Sequence, residues 1–94
     1  MTKAETRRRL YEDLVEQLQD LSRADPDIRE WFDRWGEWFA QCAVYGVRTS
    51  YPRGSMHSQL AAADKKVRQA YDDMVQEYVL RLGERPPKFV LTYS

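Results

Sequence analysis

The 94-residue sequence predicts an all-α fold: a compact three-helix bundle with an aromatic-rich central helix and an extended C-terminal tail, in one domain over 1–94. Three observations carry that prediction. Apolar residues recur at helical spacing in three separate stretches. Capping residues and terminators bracket those stretches. No second strand-like run is present to pair with the only one, at the C-terminus. Composition agrees, because 43% hydrophobic and 32% charged residues is a globular balance rather than a disordered one. A chain of this length can build one core and not two.

The first helix is predicted over 3–23. Thr2-Lys3-Ala4-Glu5 has the spacing of a capping box, and no glycine or proline follows before Arg23. Its apolar seam is Leu10, Leu14, Leu18 and Leu21, with Tyr11 and Val15 beside it. The spacing is nearly heptad, but two heptads are few for a coiled coil, which favours packing within the chain over packing against a second copy. Monomer and homodimer both stay open.

The second helix is predicted over 26–45 and holds all three tryptophans, two of the three phenylalanines and the only cysteine. Asp25 is placed to cap it, Pro26 suits the first helical position, and Asp27 and Glu30 favour the positive end of the dipole. Ile28, Trp31, Phe32, Trp35, Trp38, Phe39 and Cys42 mark one face, with Trp35 at its middle and therefore expected in the core. Gly36 costs about 1 kcal/mol against alanine in a helix interior, and the expectation is that it admits a second backbone. Cys42 is expected to be a buried free thiol, and Gly46 to stop the helix.

Residues 47–58 read as a loop rich in Gly, Pro and Ser, and the third helix is predicted over 58–82. A later start capped by Asp64 is the alternative. Its inner face is Leu60, Ala63, Val67, Ala70, Tyr71, Met74, Val75, Tyr78 and Leu82, and Gly83 with Pro86-Pro87 ends it. In the tail, 84–94, Phe89, Leu91 and Tyr93 alternate with Val90 and Thr92, so Lys88–Ser94 is expected to lie extended across the helices.

No catalytic, cofactor or metal motif is present, so a non-enzymatic protein without cofactor or metal is expected. His57 reads as a solvated loop histidine, and Asp72, Asp73 and Glu77 as carboxylates of an outer helix face. There is no apolar run of membrane-spanning length and no signal-peptide pattern, which predicts a cytoplasmic protein without membrane contact.

Charge is segregated although the net charge is zero. Between Glu12 and Glu37 nine acidic residues face Arg23, Arg29 and Arg34, whereas Arg48, Arg53, Lys65, Lys66 and Arg68 face only Asp64. The long loop and the helix start after it concentrate positive charge around an amphipathic tyrosine. Arg48, Tyr51, Arg53, Lys65 and Arg68 are therefore the candidate partner-binding residues. They suit phosphates or a protein surface, but zero net charge argues against broad nucleic-acid affinity. The acidic pole around Glu16, Asp20, Asp33 and Glu37 is the alternative surface.

Ile28 to Trp38, with Arg34-Trp35-Gly36-Glu37-Trp38 at its heart, resembles the opening helix of the Q family of lambdoid-phage antitermination proteins, where an Arg-Trp-Gly-x-Trp core recurs. Tyr51-Pro52 and Tyr78-Val79-Leu80 are similar to later features of that family. The resemblance implies a phage-encoded transcription regulator acting through duplex DNA and host RNA polymerase. Family members continue into a further helical DNA-recognition region, whereas this sequence places Thr2 to Arg23 ahead of the motif and little after Gly83. The alternative is a small inhibitor that binds a host or competing-phage protein without DNA.

Overall fold

A computed structural model describes the backbone of residues 2–46 and 55–87 and the side chains of 2–46 and 65–87. Helix α1 is Lys3–Ala24, α2 is Pro26–Trp31, a π turn covers Phe32–Gly36, α3 is Glu37–Tyr45 and α4 is Ser55–Leu82. Phe32 and Glu37 keep right-handed helical backbone angles at the two joints, so α2, the π turn and α3 form one unbroken rod. The fold is thus an all-α bundle of three rods, with no strand among the described residues.

The ends follow the expected chemistry. Thr2 Oγ1 accepts a hydrogen bond from the Glu5 N–H at 3.2 Å, and its hydroxyl donates to Glu5 Oε1. Asp25 Oδ1 accepts from the Asp27 N–H at 3.0 Å, with Pro26 in the first helical position. Gly46 and Gly83 both have positive φ, 89° and 69°, and their N–H groups close the preceding helices onto the Cys42 and Val79 carbonyls. Helix α4 begins at Ser55 rather than at Ser58 and runs through Asp64, because no glycine or proline interrupts it between Gly54 and Gly83. The side chains of Leu60 and Ala63, and the tail residues Lys88–Ser94, lie outside the described residues.

Helix α1 touches every other element. Its buried stripe is Thr6, Leu10, Leu14, Leu18 and Ser22, a strict four-residue step. Each step overshoots one helical turn by about 40°, so the stripe winds around α1 and meets α4 as well as the aromatic rod. Leu10, Leu14 and Leu18 are at most 2% exposed within the single chain, which settles the leucine seam as intramolecular. Ser22 takes the buried place expected of Leu21, which is half-buried, and its hydroxyl donates to the Gln19 carbonyl at 2.6 Å. At the opposite end Lys3 and Arg7 both reach Glu84, at 3.1 and 3.2 Å, and Arg7 Nε donates to the buried Tyr78 hydroxyl at 3.0 Å. Hydrogen bonding to Lys3, then its charge, holds the Glu84 carboxyl below its ordinary range.

The aromatic rod departs from the regular helix that the sequence predicts. In a straight α-helix Trp31 would share its face with Trp38, seven residues on and nearly two turns away. The π turn inserts one residue, and Phe39 takes that place instead, edge-on to Trp31 at 5.3 Å. Phe39 in turn meets Tyr71 of α4 edge-on at 6.2 Å, so an aromatic line crosses the bundle. Ile28, Trp31, Phe39, Ala40, Ala43 and Val44 are fully buried, whereas Phe32, Trp35 and Trp38 are half-buried at the core's edge. Trp35 is therefore a flank residue and not the middle of the core. Gly36 does not admit another backbone either: a β-carbon there would lie 2.7 Å from Phe32 Cε2 and 2.8 Å from its Cγ. Its missing side chain makes room for the Phe32 ring of the same rod.

Two outcomes test this geometry. Trp31→Ala should cost about 3–5 kcal/mol in urea denaturation, and Trp35→Ala should cost less; the reverse order would return Trp35 to the centre. Gly36→Ala should destabilise by roughly 1–3 kcal/mol through overpacking, against the usual helix preference for alanine. In a Phe32→Ala background the same change should instead stabilise by up to about 1 kcal/mol, because the ring it strikes is gone. A destabilisation unchanged by Phe32→Ala would place the conflict elsewhere.

Candidate protein-docking surface

The flank of α1 beside its buried stripe forms a groove of about 500 Å³. Tyr11 and Val15, both half-buried, and the exposed Gln19 recur at four-residue steps and make its floor. Glu12, Glu16 and Asp20 recur at the same step one position on and make its rim, and Arg23 closes the far end. Tyr45, at the end of α3 and 46% exposed, stands edge-on to Tyr11 with ring centroids 6.2 Å apart. Burial, then the charge of Glu37, then Tyr45 raises the Tyr11 phenol above its ordinary range.

The rim charges are unequal. Arg8 pairs with Glu12 at 3.3 Å and Arg23 with Asp20 at 3.1 Å, all four well exposed. Such pairs are worth about 0–1 kcal/mol and exchange readily with other partners. Glu16 stands between them and, like Glu37, has no ion pair among the described residues. The surface joins two half-buried apolar side chains, Tyr11 and Val15, to a run of carboxylates, which suits a partner carrying both apolar and cationic groups. Phosphates would be repelled.

Of the residues expected to bind a partner, Lys65 and Arg68 lie three apart on α4, both exposed. Between them Lys66 reaches Asp25 at 3.8 Å and ties α4 to the cap of α2. Arg48, Tyr51 and Arg53 lie outside the described residues, as does the side chain of His57. From the acidic alternative, Glu16 and Asp20 line the groove, Glu37 faces Tyr11, and Asp33 is exposed on the π turn. Sequence reasoning placed Tyr11 and Val15 only beside the leucine seam and did not single out Gln19 or Tyr45, the latter touching Tyr11 from α3. The signal for the first three was their step of four beside the leucine seam, parallel to Glu12, Glu16 and Asp20. Nothing local marks Tyr45.

Two of the outer-face carboxylates are hydrogen-bonded within the bundle. Asp73 accepts from Gln69 at 2.9 Å and from Gln17 of α1 at 3.5 Å, and Glu77 accepts from Arg81 at 3.1 Å. No group of three or more metal-ligating side chains occurs among the described residues. No helix among them is long and apolar enough to cross a membrane. Cys42 is 4% exposed, and burial pushes its thiol up from the ordinary 9.0 to about 11. Comparison with known protein families, with curated proteins and with solved structures finds no match. The likeness to the Q family therefore rests on the motif residues, of which Arg34, Trp35 and Gly36 fall in the π turn.

Cys42 yields a prediction in two parts. At pH 8 a thiol reagent should label it slowly in the native protein and rapidly in denaturant, since the reactive thiolate is scarce and shielded when folded. The folded chain holds a proton that the unfolded chain releases at lower pH. The stability this contributes is present below pH 9 and is lost as pH rises toward about 11. Fast native labelling, or a Cys42→Ala variant with the same alkaline decline, would contradict this placement.

Proposed function

We propose that this chain is a non-enzymatic cytoplasmic binding protein that acts by docking on a protein partner through the Tyr11–Val15 groove. The observation that carries the reading is the half-buried pair Tyr11 and Val15 lying beside the exposed carboxylates Glu12, Glu16 and Asp20 in one groove, with Tyr45 of α3 edge-on to Tyr11. Apolar contact area with charge at its edge is the ordinary composition of a recognition surface. Of the two functions considered from the sequence, a small inhibitor of a host or competing-phage protein fits this surface better than a duplex reader, because its charge has the sign of DNA.

The second reading is the antitermination-like regulator acting through DNA and host RNA polymerase. It is favoured by the exposed pair Lys65 and Arg68 on the first half of α4, adjoining the cationic sequence around Arg48 and Arg53. The two readings place the essential charges on different surfaces. Affinity capture from bacterial lysate, with and without nuclease, separates them when repeated with Glu16→Lys/Glu37→Lys and with Lys65→Glu/Arg68→Glu. All four side chains are exposed, so both double variants should keep native circular dichroism. The expected result is a captured protein that survives nuclease and the basic-face reversal but is lost on reversing Glu16 and Glu37. Capture lost with nuclease and with the Lys65/Arg68 variant would overturn protein docking in favour of DNA.

A further inference from the structure

We propose that the groove receives a cationic amphipathic α-helix of the partner, laid along α1 with its apolar stripe on Tyr11 and Val15 and its Lys or Arg residues on Glu12, Glu16 and Asp20. This rests on the protein-docking reading and names the partner's chemistry. The carboxylates recur every four residues of α1, an axial step of roughly 6 Å. A helix bearing Lys or Arg at i, i+4 and i+8 presents cations at the same step. Tyr11 to Arg23 spans about 18 Å of axis, which matches some three turns of a docked helix.

Strand addition is a poorer fit. The main-chain groups along this part of α1 are hydrogen-bonded within the helix, so no sheet edge is offered and recognition must run through side chains. Tyr11 and Val15 are the apolar members of a mixed lining and offer the partner's stripe its contacts, with the exposed Tyr45 edge-on to Tyr11 at one end. Charge complementarity selects the occupant. Glu12 already pairs with Arg8 and Asp20 with Arg23, whereas Glu16 between them has no ion pair among the described residues. A cation arriving there gains an ion pair without displacing one. Glu16 should therefore dominate the electrostatic part of binding, and Glu37 should add to it from α3.

The test uses the full chain and a fluorescent synthetic peptide of about 18 residues, long enough for more than four helical turns. It carries Lys at i, i+4 and i+8 beside a stripe of Leu and Phe. A control has the same composition scrambled to break the spacing. In anisotropy titrations the patterned peptide should bind at least about tenfold tighter than the control, and its affinity should fall as salt rises. Glu16→Lys should weaken it by about tenfold or more, Glu16→Gln by less, and Lys65→Glu should leave it unchanged. Equal binding of the two peptides, or indifference to Glu16→Lys, overturns the proposal. If the peptide fails while the captured partner is still lost on reversing Glu16 and Glu37, the groove docks something other than such a helix. If both fail, the docking reading falls with it.

Discussion

The arrangement of this bundle depends on one residue too many in a single helical turn. A rod that stayed α-helical from Pro26 to Tyr45 would align Trp31 with Trp38 and put Trp35 between them on the inner face. The π turn at Phe32–Gly36 brings Phe39 under Trp31 and carries Ala40, Ala43 and Val44 inward with it. Small residues then face α1 where indoles would otherwise stand, and the two rods can pack closely. Gly36 makes the wide turn possible because the Phe32 ring occupies the space of its absent β-carbon. A helix-disfavouring residue is thus retained for a steric reason internal to its own rod.

The cost is visible in the indoles. Trp31 Nε1 and Trp35 Nε1 are buried without a hydrogen-bond partner, and an unsatisfied buried donor costs about 1–3 kcal/mol. Burying a large aromatic offsets a penalty of that size, since the rings that fill this core each remove roughly 150–250 Å² from water. Trp31, Phe39 and Tyr71 also gain edge-to-face contacts across α2, α3 and α4. The polar groups at the opposite end are better served: the buried Tyr78 hydroxyl meets Arg7, and Glu84 collects both Lys3 and Arg7. That end joins the start of α1 to the end of α4 through side chains at the rim, where water screens the charges.

Helix α1 presents two adjacent faces. Its winding leucine stripe touches every other element, and the neighbouring flank carries the groove. The rotation of that flank is set by the core, while Asp20 and Arg23 also pair with each other across it. Tyr11 and Val15 stand beside Leu10 and Leu14, whose burial fixes the rotation of α1, and Glu12, Glu16 and Asp20 follow from the same rotation.

Much of this architecture was legible in the sequence, for local reasons. Thr2, Asp25 and Pro26, Gly46, and Gly83 mark where helices start and stop through hydrogen bonds and backbone angles that depend on near neighbours. Leu10, Leu14 and Leu18 on α1 and Val67, Ala70, Met74 and Tyr78 on α4 followed from apolar spacing, whereas Thr6 and Ser22 took buried places that the spacing did not mark. The π turn was not legible, because an inserted residue leaves the composition unchanged, and the gain from placing Phe39 against Trp31 and Tyr71 exists only once the rods pack. For the groove, the periodic carboxylates and the flanking Tyr11 and Val15 were present in the sequence, whereas Tyr45 and Glu37 join them only through the altered phase of α3. Sequence alone determined the three helical rods, the ends marked by Thr2, Asp25, Gly46 and Gly83, and the segregation of charge along the chain. The tertiary structure decided which aromatics form the core and which acidic and aromatic side chains share one surface, because both depend on the rotation of one rod against another.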